Sequence, residues 1–361
     1  MYQSFRVSNF RCFRDLTVTD LERVNLIAGV NNVGKTALLE ALFLHCGAYN
    51  PALTLRLNAF RGIESVKLEF GRWAETPWDS LFGGFDTSKK VELIGKNEQT
   101  GRRTLWLKAV RQPQELARIG QSVQHGSEGT EGIPLSLETP QVLELDYEDS
   151  HGQRGSYYVI LDAKGIRAEP IPPSPPFPAF FLAARLRIPP AEDAERFGKM
   201  EVIGQQDALL EALGVIESRL HRLAVVVAGG VPVLHGDVGL GRLVPLPLMG
   251  EGMARLASLV LAIGNAQNGV VLVDEIENGL HHSTLPNVWQ AIGEVARQFK
   301  TQVFATTHSL ECITAAHQAF SASERYDFRL HRLECTDETI RAVTYDQESL
   351  AAAIKTGLEV R

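Results

Sequence analysis

The sequence predicts an α/β fold: a mixed, mainly parallel sheet flanked by helices and assembled from the two ends of a 361-residue chain. Three observations predict it. Val24–Ala28 is a short apolar run, followed by the glycine-bearing stretch 29–36 and then by helix formers at 37–44. Val270–Val273 is an unbroken apolar run ending in Asp274 and Glu275. Gln302–Thr306 is a third such run, ending in Thr307 and His308. Strands covered on both faces read as continuous apolar runs, and strands alternating with helical segments indicate a parallel sheet.

The first segment carries the most chemistry. Residues 29–36 read Gly29-Val30-Asn31-Asn32-Val33-Gly34-Lys35-Thr36, the phosphate-binding pattern G-x-x-x-x-G-K-[ST]. Its glycines let the backbone curl so that successive N–H groups face a polyphosphate. Lys35 adds a charge for the β- and γ-phosphates, Thr36 offers a hydroxyl to Mg²⁺, and the helix that begins at Ala37 presents its N-terminus to the anion. The expected nucleotide contacts are therefore Gly29, Asn31, Asn32, Val33, Gly34, Lys35, Thr36 and Ala37.

The acidic strand supplies the complement. Ligands bind beyond the carboxyl ends of parallel strands, so Asp274 and Glu275 should reach the phosphate loop. Asp274 is the candidate Mg²⁺ ligand with Thr36, and Glu275 the candidate base for the attacking water. Between these landmarks, Gly250-Glu251-Gly252 opens a long apolar helix whose free N–H groups suit a second phosphate contact. His308, at the tip of the last strand, is placed to touch a γ-phosphate or the attacking water.

The order of phosphate loop, Gly-opened helix, acidic strand and His-tipped strand resembles ABC-type ATPase heads, a kind of P-loop NTPase. It is most similar to the SMC/RecF/OLD branch, and within it to the stand-alone AAA family ATPases of bacteria. Phe5-Arg6-Val7-Ser8-Asn9-Phe10-Arg11 resembles the branch's I-x-N-F-R opening, and Asp274-Glu275-Ile276-Glu277-Asn278-Gly279-Leu280-His281 its D-E-P-E-x-x-L-H. The resemblance covers both ends of the chain and the middle loosely. It implies ATP and Mg²⁺ as cofactors and catalytic roles for Lys35, Glu275 and His308. It also implies an ATP-dependent homodimer in which 250–252, at the signature-loop position, caps nucleotide on the other copy. Ile276 replaces the usual Pro, and His281 stands where ABC-transporter and SMC heads have an Asp that signals across the dimer. The adjacent His281 and His282 read as a structural or solvated pair rather than metal ligands, because neighbouring side chains diverge.

The middle of the chain is an insertion between the two halves of one nucleotide site. It has no sustained heptad, so it is globular rather than coiled coil. No N-K-x-D guanine reader is present. The expected organisation is 1–70, first half of the head; 71–180, β-rich inserted lobe; 181–240, helical segment and hairpin; 241–361, second half of the head. Hairpins are predicted over 90–110 and 142–161, a loop over 112–134, a stiff connector at 171–176 and a returning strand at 180–183. Residues 201–226, including 216–223, carry helical apolar spacing and read either as a short arm facing a second copy or as core helix. Two strands, 328–334 and 340–345, and a helix at 347–355 close the chain.

A net charge of −7 argues against a DNA-coating role, although Arg102-Arg103 and 108–111 are local basic candidates for nucleic acid. Four scattered cysteines without a C-x-x-C pair, and no targeting segment, suggest a reduced, cytoplasmic protein. The longest apolar runs, at 223–227 and 256–263, are too short to span a bilayer. No D-x-D follows His308, so no Toprim nuclease domain of the OLD kind is expected. Three functions are compatible with these features: an ATPase gating a separate effector such as a nuclease or toxin, including in phage defence; a RecF-like DNA-binding repair ATPase; and a scaffold in which ATP is structural.

Overall fold

The computed structural model describes residues 1–61, 76–112, 114–116, 118–119, 140–162, 165–337 and 339–361. Most of the loop expected at 112–134, and the expected boundary between residues 70 and 71, lie outside them. The central sheet has six strands: β3 (Val24–Ala28), β9 (Ala179–Leu182), β13 (Val270–Val273), β14 (Gln302–Thr306), β15 (Phe328–Thr336) and β16 (Thr339–Tyr345). Their order is β16-β15-β3-β14-β13-β9, and every pairing is parallel except that of β16 with β15. Phosphate-loop strand and acidic strand are therefore separated only by β14, the strand that His308 follows.

Period-two alternation buries both faces of this sheet. On β13, Val271 and Val273 enter one core cluster, while Val270 and Leu272 enter the other. The first cluster lies under α3 (Pro190–Val202), α4 (Asp207–Gly214), α5 (Glu251–Asn265), α6 (Leu285–Gln298), α7 (Leu310–Ser321) and α8 (Gln347–Thr356). The second packs α1 (Lys35–Cys46) against a seven-stranded antiparallel sheet. That sheet joins β1 (Tyr2–Phe10) and β2 (Phe13–Val18) to β4 (Val91–Asn97), β5 (Gly101–Val110), β6 (Gln141–Glu148), β7 (Arg154–Asp162) and β8 (Gly165–Glu169). The hairpin strands of the middle segment thus continue a sheet that the N-terminus begins, through pairing of β1 with β4.

The helical reading of 216–223 is corrected. The helix ends at Gly214, turns follow, and Arg222 opens β10 (Arg222–Ala228), which pairs with β11 (Val231–Asp237) across Gly229-Gly230. The β-branched run Val225-Val226-Val227 before a Gly-Gly turn favours a hairpin over one more helical turn. The last strand of this small sheet is β12 (Val244–Pro245). Core packing accounts for α3 and α4: Phe197, Met200, Leu209 and Leu213 are buried beside residues of α5 and α6. No described helix is long and apolar enough to cross a membrane.

Two buried histidines brace the sheets. His45 accepts at Nδ1 from the Tyr2 hydroxyl at 2.7 Å and donates from Nε2 to the Arg103 carbonyl at 3.1 Å. His331 lies 3.1 Å from the Thr344 hydroxyl and 3.3 Å from Asn25 Oδ1. Burial pushes both imidazoles down to about 3 from 6.5. A depressed folded pKa gives stability that is complete above 6.5 and lost as pH falls towards 3. The unfolding free energy measured by denaturant titration should therefore drop on acidification through this window, by up to about 1.4 kcal/mol per pH unit for each histidine. Replacing both by Gln should flatten that part of the profile.

Candidate nucleotide site

The phosphate loop forms because three positions take left-handed or glycine-only backbone: Gly29 at φ 147°, Asn32 at 64° and Gly34 at 106°. Both glycines are also needed for space. A Cβ on Gly29 would lie 2.6 Å from the Leu333 carbonyl oxygen, and one on Gly34 would lie 2.6 Å from Cys12 Sγ and 2.8 Å from the Phe13 ring. Gly34 caps α1 with no side chain, so the first N–H groups of the helix stay free for an anion. Asn31 and Asn32 are exposed on the loop, while Val33 and Ala37 are buried beneath it. Lys35 Nζ folds back to donate to the carbonyls of Gly29 at 2.6 Å and Val30 at 3.0 Å. Burial lowers the Lys35 ammonium, opposed by Asp274, Glu275 and Glu277.

The acidic strand meets this loop directly. Thr36 Oγ1 lies 3.0 Å from Asp274 Oδ1 and 3.2 Å from Oδ2, across 238 positions of sequence. Thr306 Oγ1, at the end of β14, donates to Asp274 Oδ1 at 2.7 Å and accepts the Glu275 N–H at 2.8 Å. Asp274 also donates its own N–H to the Leu182 carbonyl of β9. Glu275 takes a left-handed φ of 48°, and its Oε2 accepts from Asn278 Nδ2 at 2.7 Å. Beyond it, Glu277 Oε1 accepts from the His308 N–H at 3.1 Å and lies 3.4 Å from His308 Nδ1.

Lys35, Thr36, Asp274, Glu275 and His308 are thus gathered at the carboxyl ends of β3, β13 and β14. The stretch 250–252 stands apart: it makes no hydrogen bond to 29–36 among the described residues. Gly250, at φ 115°, opens α5 without a side-chain cap, and Glu251 Oε1 pairs with exposed Arg187 at 3.3 Å. A Cβ on Gly252 would lie 3.1 Å from the Gly279 carbonyl oxygen, so this loop rests against the turn that follows the acidic pair. His281 bonds through Nδ1 to the Ser283 hydroxyl at 2.8 Å, and its ring lies 4.2 Å from that of His282. No group of three or more metal-ligating side chains forms among the described residues.

Several residues of this neighbourhood escaped the sequence reading. Arg255 on α5 is largely buried and donates from Nη2 to the carbonyls of Asp274 at 3.1 Å and Glu275 at 3.5 Å. Burial lowers its guanidinium, while both carboxylates oppose that shift. A lone Arg in an otherwise apolar helix was the available signal. Glu40, fully buried on α1, is held by Arg11 and Arg61, each at 2.7 Å. Thr306 was visible only as a polar residue ending an apolar strand.

Phosphate loop, paired acids and His-tipped strand on a largely parallel sheet define an ABC-type, SMC-like P-loop ATPase head. The chain belongs to the family described as "AAA domain, putative AbiEii toxin, Type IV TA system", whose model matches residues 24–313. It is 23% identical to an "ATP/GTP phosphatase" of Helicobacter pylori over 97% of both chains. An uncharacterized protein of Methanocaldococcus jannaschii is 42% identical over 96 residues, 27% of this chain and 41% of that one. In fold it is similar to an Smc head solved with the C-winged helix domain of ScpA, at a TM-score of 0.50 and 12% identity over 98% of this chain and 99% of that one.

The glycine geometry generates a direct test. Gly34→Ala should destabilise the protein by about 1–3 kcal/mol in denaturant titration, because a Cβ there meets both strain and the Cys12–Phe13 wall. It should also abolish binding of a fluorescent ATP analogue. An alanine variant that binds as well as wild type would show that the loop does not need this backbone.

Proposed function

We propose that the chain binds and hydrolyses ATP with Mg²⁺, and that nucleotide drives two copies together to gate a separate effector. The observation that carries this reading is the Thr36 hydroxyl on the Asp274 carboxylate. It brings the phosphate loop and the acidic strand into one donor set of hard oxygens, the kind magnesium takes. When bound, the ion supplies charge neutralisation at the β- and γ-phosphates.

The protein's own residues have separate tasks in this reading. Backbone N–H groups of the loop and of the first turn of α1, with the Lys35 ammonium, bind the phosphates. Thr36 and Asp274 hold the metal, and Thr306 keeps Asp274 oriented. Glu275 removes the proton from the attacking water, and Asn278 holds its carboxylate. His308 donates to the charge that develops on the γ-phosphate. The name of the Helicobacter pylori relative, an ATP/GTP phosphatase, supports hydrolysis and leaves room for GTP as a second substrate.

The exposed 250–252 loop points the reading towards a second copy. Its uncapped N–H groups would contact nucleotide held on the partner's 29–36, and the γ-phosphate then favours the closed dimer through differential affinity. The toxin–antitoxin wording of the family description supports an effector-gating role over a DNA-coating one, as does the net charge of −7.

Two variants test the chemistry. Lys35→Ala should remove ATP binding in calorimetry. Glu275→Gln should retain binding, lower kcat by 100-fold or more and accumulate an ATP-dependent dimer in size-exclusion chromatography. Wild-type turnover in Glu275→Gln would remove Glu275 as the base.

A further inference from the structure

Glu277 belongs to the acidic turn, yet binding and hydrolysis as described leave it without a task. Its side chain is 12% exposed. Oε1 accepts from Thr307 Oγ1 at 2.7 Å and from the His308 N–H at 3.1 Å, with His308 Nδ1 at 3.4 Å. Oε2 is buried and has no partner among the described residues. The left-handed backbone at Glu275 sends the two carboxylates of this turn apart. One is held by Asn278 beside the phosphate loop, and the other crosses to the tip of β14. A mostly buried carboxylate with one idle oxygen costs stability, and such groups concentrate at working sites.

We propose that Glu277 is a positioning residue that acts through His308, an inference resting on the hydrolytic reading above. Its carboxylate anchors the Thr307 side chain and the His308 peptide and stands beside one ring nitrogen. A carboxylate against Nδ1 fixes the plane and proton arrangement of an imidazole. Nε2 has no partner among the described residues, so it is the nitrogen left to meet the γ-phosphate of a nucleoside triphosphate. The same turn thereby sets both the base, Glu275, and the charge-stabilising group, His308. A shift in the turn would move both together.

A double-mutant cycle decides the matter. Steady-state ATPase kinetics would be measured on wild type, Glu277→Gln, Glu277→Ala, His308→Ala and Glu277→Ala/His308→Ala. Glu277→Gln keeps an oxygen for Thr307 and the His308 N–H while removing the carboxylate charge at Nδ1, so it serves if the alanine variant folds poorly. The expected result is a kcat at least tenfold lower in Glu277→Gln and Glu277→Ala, with KM within twofold. In the His308→Ala background, loss of Glu277 should cost nothing further. Equal fold-losses in both backgrounds, or an unchanged kcat in Glu277→Gln, would overturn the proposal. If His308→Ala matched wild type, Glu277 would have nothing to act through, and the proposal would fall while hydrolysis stood. A wild-type protein without Mg²⁺-dependent turnover would overturn both.

Discussion

The contact on which the site depends is a short relay of oxygens: Thr36 to Asp274, and Asp274 to Thr306. Each residue stands at the end of a different segment, α1, β13 or β14. Thr306 also accepts the Glu275 N–H, so a single hydroxyl orients the proposed metal-ligand carboxylate and fixes the peptide of the proposed base. A threonine suits this place because its hydroxyl donates and accepts at once, and its β-branched frame is rigid within a strand. Without the relay, Asp274 would be a mostly buried carboxylate lacking its side-chain donors, a costly state.

Buried charges tie the surrounding elements to that relay. Glu40 sits fully buried on α1, with Arg11 from the β1–β2 turn and Arg61, at the end of the helix Ala52–Phe60, closing on it from two sides. Breaking such a group by removing one partner leaves an uncompensated buried charge, so the three residues hold or fail as a unit. Arg255 does similar work from α5, reaching the backbone carbonyls of the acidic pair rather than their carboxylates. The helix that begins at the exposed 250–252 loop is therefore bonded to the peptide that carries Glu275. That helix thereby joins the loop to the acidic turn through one side chain.

Much of this was legible in the sequence, and for physical reasons. The phosphate loop declares itself because backbone curvature, a lysine and a hydroxyl must occur in fixed order, and few other structures require that order. The strands β13 and β14 were readable because burial on both faces leaves Val270–Val273 and the middle of β14, Val303 to Ala305, continuously apolar. The carboxylates could be placed beside the loop because parallel strands present their carboxyl ends together. The segment 216–223 misled because short apolar runs satisfy helical and extended spacing equally. Turns after Gly214 and the pairing of Arg222 and Leu223 with β11 decide it. Arg255, Glu277 and Glu40 were not legible as partners, because a buried charge is explained by a distance in space and not by a spacing in sequence. The union of β1 with β4 was hidden for the same reason: nothing local in either strand names the other.

The distance between Thr36 and Asp274 along the chain has a further consequence. Contacts of such long range form only when the entropy of closing the intervening chain is met. The nucleotide site is therefore a property of the whole fold. Its strands are interleaved, with β9 from the end of the insertion pairing directly with β13. β9 lies at the edge of the central sheet, and its Leu182 carbonyl accepts the Asp274 N–H, so the middle of the chain is tied to the site through this strand. Any ligand that bridges the phosphate loop and Asp274 spans the two halves of the chain, and its binding free energy adds to the stability of the entire head.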